Sequence, residues 1–280
     1  MNSDEDSARE GLAGEGLAGE GLAYERLRQV SELAGVVLAD NPSPMTLDGT
    51  NTWLLRDDPA RRSAVVVDPG PLDDVHLRAV LAAAGSVPLI LLTHGHPDHS
   101  EGARRLAELT GAPVYALDPA HRYGSEGLAE GDVLGGAGVR IEVWRTPGHT
   151  ADSLSFLLPP SDQARAVLTG DTILGRGTTV VAHPDGVLAD YLASLRRLAS
   201  LSGVAVLPGH GPELADAGAA ANHYLAHREQ RLDQVRAVLA DSPDAAPMQV
   251  VERVYAEVDR ALWPAAELSV RAQLAYLRQT

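Results

Sequence analysis

From Leu33 to about Gly211 the chain alternates short apolar runs with polar, glycine- and proline-rich breaks, the rhythm of strands and helices in an α/β domain. The stretch "GVVLADNPSPMTLDGTNTWLLR" offers two strands around a proline-containing loop, and "SAVVVDPG" (63–70) reads as a short buried strand ending in a turn. Helical spacing over 73–85 ("DDVHLRAVLAAAG") stops at a glycine. "VPLILLT" predicts a strand, a polar cluster follows it, and a helix runs through "GARRLAELTG" (102–111). Further strands are predicted at 112–117, 139–146, 153–159, 165–170 and 204–209, with a helix at 188–202 before the last.

After Gly211 the apolar strand runs stop. "ANHYLAHREQRLDQVRAVLAD" predicts a long helix, Pro243 and Pro247 mark a break, and shorter helices are expected at about 247–258 and 264–279. The predicted organisation is an α/β domain at 29–212 and a helical domain at 213–280. Ahead of both lies "EGLAGEGLAGEGLAY" (10–24), a five-residue repeat so rich in glycine that any helix there is weak. Residues 1–28 are expected to be a disordered leader without a chemical role.

Composition removes several chemistries. The chain has 280 residues, no cysteine and no lysine, so its 23 basic residues are all arginine. Disulfides, thiolate nucleophiles, cysteine-held zinc, a lysine Schiff base and a P-loop lysine are excluded. A net charge of −15 argues against a broad nucleic-acid surface, although bound cations can invert the charge locally. The acidic start "MNSDEDSARE" lacks the features of a signal peptide, and no apolar run is long enough to span a membrane. A soluble cytoplasmic protein is the simplest expectation.

Candidate chemistry sits at four strand ends. "LILLTHGHPDHSEG" (89–102) places His94, His96, Asp98 and His99 just past a strand, and "EVWRTPGHTADS", "AVLTGDTILG" and "VAVLPGHGP" do the same for His149, Asp171 and His210. α/β folds gather their sites at such positions. One histidine of this kind is usually a capped turn, but five of the ten histidines lie in these four places. His94 and His96 alternate along an extended segment and face one side, whereas Asp98 and His99 enter a turn stiffened by Pro97. Two sites fit: His94, His96 and His149 at one, and Asp98, His99 and His210 at the other, with Asp171 able to bridge them. His/carboxylate ligation suits two divalent ions, zinc first, with manganese or iron as alternatives. Two ions roughly 3.5–4 Å apart can hold a bridging hydroxide, which makes the reaction metal-assisted hydrolysis with Asp98 and Asp171 as the candidate catalytic carboxylates.

His94-Gly-His96-Pro-Asp98-His99 resembles the H-x-H-x-D-H signature of the metallo-β-lactamase superfamily, and His149, Asp171 and His210 match its later motifs in order. The resemblance covers about residues 36–212. It implies an αββα sandwich with a dinuclear site along one edge, and a role for Asp68 in supporting the ligand loops. Without a signal or a cysteine, antibiotic hydrolysis is not the expected role.

"NPSPMTLDGTNTWLL" (41–55), "GDTILGRGTTVV" (170–181) and "HYLAHREQRLDQV" (223–235) look like a narrower group, the lactamase-beta-like protein two hydrolases. That resemblance implies a winged-helix-like C-terminal domain, and Asn51, Thr178 and Thr179 lining the cleft; the bland reading makes those segments ordinary turns. Animal mitochondrial members of the group cleave single-stranded RNA, and fungal relatives are thioesterases. Residues 213–280 hold seven arginines against ten Asp/Glu, a local net of −3, and no sequence remains for a β-hairpin wing. DNA binding is therefore not expected, and these helices would pack on the α/β domain, shape the cleft or mediate dimerisation.

The leading expectation is a dinuclear metal hydrolase acting as a single-strand endoribonuclease. The alternative is a thioesterase or hydroxyacylglutathione-hydrolase-like enzyme for small esters and thioesters, with Arg228, Arg231 and Arg236 as the candidates to hold a substrate carboxylate. A non-catalytic binding protein on the same scaffold is a third reading, disfavoured by the complete ligand set. His223 and His227 lack the glutamate of H-E-x-x-H and read as helix surface, while His76, His121 and His183 show no partner in the sequence.

Overall fold

The computed structural model describes residues 23–158 and 165–279. Two sheets stack face to face with helices on both outer sides, the expected αββα arrangement. The first sheet has the order β1 (Leu27–Gln29), β2 (Ala34–Leu38), β3 (Asn51–Leu55), β4 (Val65–Val67), β5 (Ile90–Leu91) and β6 (Val114–Tyr115). Its first four strands are antiparallel, and β4, β5 and β6 run parallel. The second sheet has the order β11 (Ala205–Pro208), β10 (Ala166–Gly170), β9 (Leu154–Leu158), β8 (Val139–Arg145) and β7 (Val133–Gly136), with only β10 and β11 parallel.

Side-chain alternation explains why most strands read as unbroken apolar runs. Trp53, Leu55, Val65 and Val67 face Phe156, Leu158 and Leu168 in the core between the sheets. The intervening Leu54 and Val66 turn outward under α1 (Asp74–Ala84) and α2 (Pro97–Thr110), with Leu77, Val80 and Leu106. On the other side Leu157, Val167 and Val206 meet Tyr191, Leu192 and Leu195 of α3 (Leu188–Leu198). Strands covered on both faces carry apolar residues at every position.

Three expectations change. The leader expected to reach residue 28 ends earlier: residues 1–22 lie outside the described residues, but Tyr24 already bridges Leu38 and β1 pairs with β2. The helix expected from 102 begins at Pro97, because proline at the first helical position has the backbone angle a helix needs and forgoes an N–H that would be unpaired anyway. The strand β7, two of whose four residues are glycine, was not among those expected.

α4 (Ala217–Asp241) packs against two different neighbours. Its first half, with Ala217, Ala221 and Tyr224, covers the second sheet, while Val235 and Val238 pack with α5 (Pro247–Val254) and α6 (Trp263–Leu277). Among the described residues no strand follows β11, and no helix is long and apolar enough to cross a membrane.

Candidate metal centre

The three-residue β4 delivers the side chain that organises the site. Asp68, the next residue, is 1% exposed and has φ 51, a left-handed conformation that costs a non-glycine residue about 1–3 kcal/mol. Its carboxylate accepts from the Thr93 N–H at 2.8 Å, the Thr93 hydroxyl at 2.6 Å and His99 Nδ1 at 2.9 Å. One buried carboxylate thus ties the end of β5 to the first turn of α2. Asp98 and His99 lie in that helical turn, where the His99 and Ser100 N–H groups both donate to the His96 carbonyl at 3.0 Å.

The seven sequence candidates come together in two groups. His94, His96, His149 and Asp171 form one, Asp98, His99 and His210 the other, and within each the donor atoms lie within 4.8 Å of one another. Asp171 faces both groups. Its Oδ1 is 3.4 Å from His99 Nε2 and 3.5 Å from His210 Nε2, and its Oδ2 is 3.6 Å from His149 Nε2. Asp98 Oδ2 stands 3.1 Å from His210 Nε2 and is the more open carboxylate, at 28% exposure against 11% for Asp171.

Outer partners set which ring nitrogen carries the proton. His149 Nδ1 donates to the Val180 carbonyl at 2.8 Å, His210 Nδ1 to the Gly49 carbonyl at 3.0 Å, and His99 Nδ1 to Asp68. The Thr93 hydroxyl gives its proton to Asp68, so its oxygen accepts from His94 Nδ1 at 3.0 Å. In all four rings Nε2 turns inward as a lone pair. Those lone pairs crowd together: His94 Nε2 and His149 Nε2 are each 3.0 Å from His96 Nδ1, and His99 Nε2 is 3.2 Å from His210 Nε2. Asp171 Oδ1 is buried with no hydrogen-bond partner. Acceptors facing acceptors, around an orphaned carboxylate oxygen, form a donor set that fits positive ions.

Without ions, protons take up part of that demand. Burial opposes charge on His99 and His210, but the carboxylates outweigh it. Asp171 and Asp68 hold His99 well above the ordinary histidine value, and Asp171 and Asp98 raise His210 to about 9. Burial likewise opposes charge on Asp171, yet His210 and His99 hold it well below the usual carboxylate range. His94 lies well below its ordinary value because of burial and then the charge on His99.

The expected cleft residues divide. Asn51 is buried and its amide donates to the carbonyls of Pro208 and Gly211, at 3.0 and 2.9 Å, so it shapes the turn carrying His210. Thr179 is also buried, with Oγ1 3.3 Å from His149 Nδ1. Thr178 is half-exposed.

Two other histidines have neighbours that no local spacing announces. His76 is fully buried, with Nδ1 2.7 Å from Glu25 Oε2 and Nε2 2.8 Å from Thr52 Oγ1, and Thr52 in turn donates to the Asp68 carbonyl. His121 lies over Gly95, between His94 and His96, where an added Cβ would meet its Nε2 at 2.4 Å. His223 and His227 have no third metal-capable donor among the described residues. Burial, then Arg228 and Arg231, depress His227 to about 4.

Residues 45–210 match the metallo-β-lactamase superfamily, and residues 246–280 match the beta-lactamase associated winged helix domain. The chain is 31% identical over 262 residues to the beta-lactamase-like protein 2 homolog of Caenorhabditis elegans, covering 89% of this chain and 85% of that one. A beta-lactamase domain protein from Burkholderia ambifaria superposes with a TM-score of 0.78 at 22% identity, covering 94% of this chain and 91% of that one. The protein TTHA1623, solved in a di-iron-bound form, gives 0.50 at 28% identity over 62% of this chain and 92% of that one.

Proposed function

Because this chain belongs to the metallo-β-lactamase superfamily and is thereby a metal-dependent hydrolase, we propose that it is a dinuclear enzyme acting on small carboxylic esters or thioesters. What carries the dinuclear reading is the pair of donor groups with Asp171 turned to both. His94, His96 and His149 would hold one cation, Asp98, His99 and His210 the other, and Asp171 would be shared. When bound, two such cations polarise a carbonyl or phosphoryl oxygen and acidify water between them. Zinc suits the nitrogen-rich set, and iron is the alternative that the di-iron form of TTHA1623 brings to mind.

The chain's own groups do the rest. Asp68, Val180 and Gly49 orient the rings through Nδ1, so each presents Nε2 to the interior. The Asp98 carboxylate, the more exposed of the two, would add its negative charge beside His210 in the second group. Thr178, half-exposed on the segment after Asp171, would be the substrate contact of the pair.

The engagement of four arginines on the Asp171 loop and α4 supports the ester and thioester reading. Arginines and lysines free to meet phosphates would favour an RNA substrate. Arg176, on the loop after Asp171, is paired with Asp48. Arg228 donates to the Thr179 carbonyl, Arg231 to Gln234 and the Val254 carbonyl, and Arg236 pairs with Glu229 and Asp233. These engagements also weigh against a glutathione carboxylate held by the three helix arginines.

The test is a parallel assay of metal-loaded protein on acyl thioesters and single-stranded RNA. Thioester hydrolysis abolished in Asp171→Ala is the expected result. RNA cleavage without thioester hydrolysis would replace the substrate reading by the endoribonuclease one, and full activity in Asp171→Ala would sink the shared-ligand assignment.

A further inference from the structure

α4 supplies none of the seven donors, yet it carries a buried cation aimed at the loop between two of them. Arg228 is 4% exposed, and among the described residues no carboxylate forms an ion pair with it. Its Nη2 donates to the Thr179 carbonyl, its guanidinium carbon lies 5.1 Å from the centre of the Tyr191 ring, and its Nε has no hydrogen-bond partner. A guanidinium buried with no carboxylate partner is costly for as long as the protein is folded.

What it grips is specific. One turn earlier on α4, the Tyr224 hydroxyl accepts from the Leu174 N–H at 3.0 Å and reaches the Leu174 carbonyl at 3.3 Å. Tyr191 of α3, whose pKa burial raises to about 12, donates to the Thr172 carbonyl at 2.7 Å. The two tyrosines hold the start of the segment that leaves Asp171, and Arg228 holds its end. The residue after Thr179 is Val180, whose carbonyl accepts the His149 Nδ1 proton at 2.8 Å. An error in the path of this backbone is therefore an error in a ring that presents Nε2 to the site.

We propose that Arg228 is a positioning residue for His149: by holding the Thr179 carbonyl it fixes the Val180 carbonyl that sets the ring's tautomer and direction. The helix that joins the sheets to the C-terminal helices thereby completes the His94/His96/His149 group from outside. Arginine suits the task because its planar fork bonds a carbonyl while its charge sits over the Tyr191 ring. A neutral apolar side chain would leave the Thr179 carbonyl unpaired and the loop free to shift.

The inference rests on the reading that the seven donors bind two cations, and its test separates the two. Metal-free wild type and Arg228→Met are titrated with zinc against a competing chelator, alongside thermal melting. Wild type is expected to take two ions. Arg228→Met is expected to weaken one of them measurably, by less than the about 10–100-fold that follows loss of a ligating histidine's own outer partner, and leave the other unchanged. Arg228→Lys, which keeps the charge and a donor, is expected to recover part of the loss. In a His149→Ala background, Arg228→Met is expected to add nothing further. Two ions at wild-type affinity in Arg228→Met would overturn the proposal, as would an equal loss with and without His149. Should Arg228→Met fail to fold, Arg228→Gln carries the same comparison. Fewer than two ions in wild type would instead overturn the two-cation reading.

Discussion

At the scale of single residues the site is a set of inward lone pairs governed by outward acceptors. Asp68→Asn keeps one oxygen for the Thr93 N–H but puts an NH2 donor where the Thr93 hydroxyl and His99 Nδ1 now donate to a charged oxygen. It should lower zinc affinity about 10–100-fold in chelator competition, and unchanged affinity would deny Asp68 its supporting role. The metal-free protein should also show a pH dependence of its own. A ring whose folded pKa is raised stabilises the fold fully below its unfolded value, near 6.5, and that contribution is lost as pH rises through the folded pKa. His99 is raised and His210 lies at about 9, so the melting temperature of metal-free protein should fall between about pH 6.5 and 9.5. Bound metal removes those protons, so metal-loaded protein should lack this slope. A flat profile without metal would show the rings are neutral. The ligand candidates were legible because each follows an apolar strand. Their orienting partners at Gly49 and Val180 were not, since any residue supplies a backbone carbonyl.

At the scale of elements, strand ends matter more than strand lengths. β4 and β5 have three and two residues, yet Asp68 and His94 follow them at the rim. β7 escaped sequence reading because glycines supply neither apolar pattern nor strand propensity, and its pairing with β8 is what makes it a strand. Gly209, between β11 and His210, shows how closely the elements meet. A Cβ there would stand 2.6 Å from Asp171 Oδ1 and 2.7 Å from His99 Cε1. Gly209→Ala should therefore cut hydrolysis at least tenfold, since misplacement of about 1 Å costs that much or more. Gly111→Ala makes the opposite trade. Gly111 ends α2 at φ 75 with nothing within 4 Å, so the substitution should lose about 1 kcal/mol of stability and leave hydrolysis alone. Calorimetry and kinetics on both variants check the dissociation, and Gly209→Ala with full activity would contradict it.

At the scale of the whole molecule, α4 and α6 join what composition suggested were separable parts. Ala217, Ala221, Tyr224 and Ala272 all belong to the core beneath α3, so the sheets lack a complete outer layer without the C-terminal helices. Calorimetry should therefore show one cooperative unfolding transition, and removal of residues 213–280 should leave a chain with no cooperative melt. Two resolved transitions would show independent domains.

The sequence by itself marked the seven candidate donors and the alternation of strands and helices, and the αββα sandwich came with the family resemblance that its motifs carry. Metal-capable side chains at strand ends, and apolar periodicity, are properties of short segments. Tertiary structure alone decided the partition of the helical region, the burial of Asn51 and Thr179, the outer partners of the rings and the engagement of the arginines. Each of these depends on segments far apart in the chain: Arg228 and Thr179 are separated by 49 residues and His210 and Gly49 by 161, and no periodicity reaches that far.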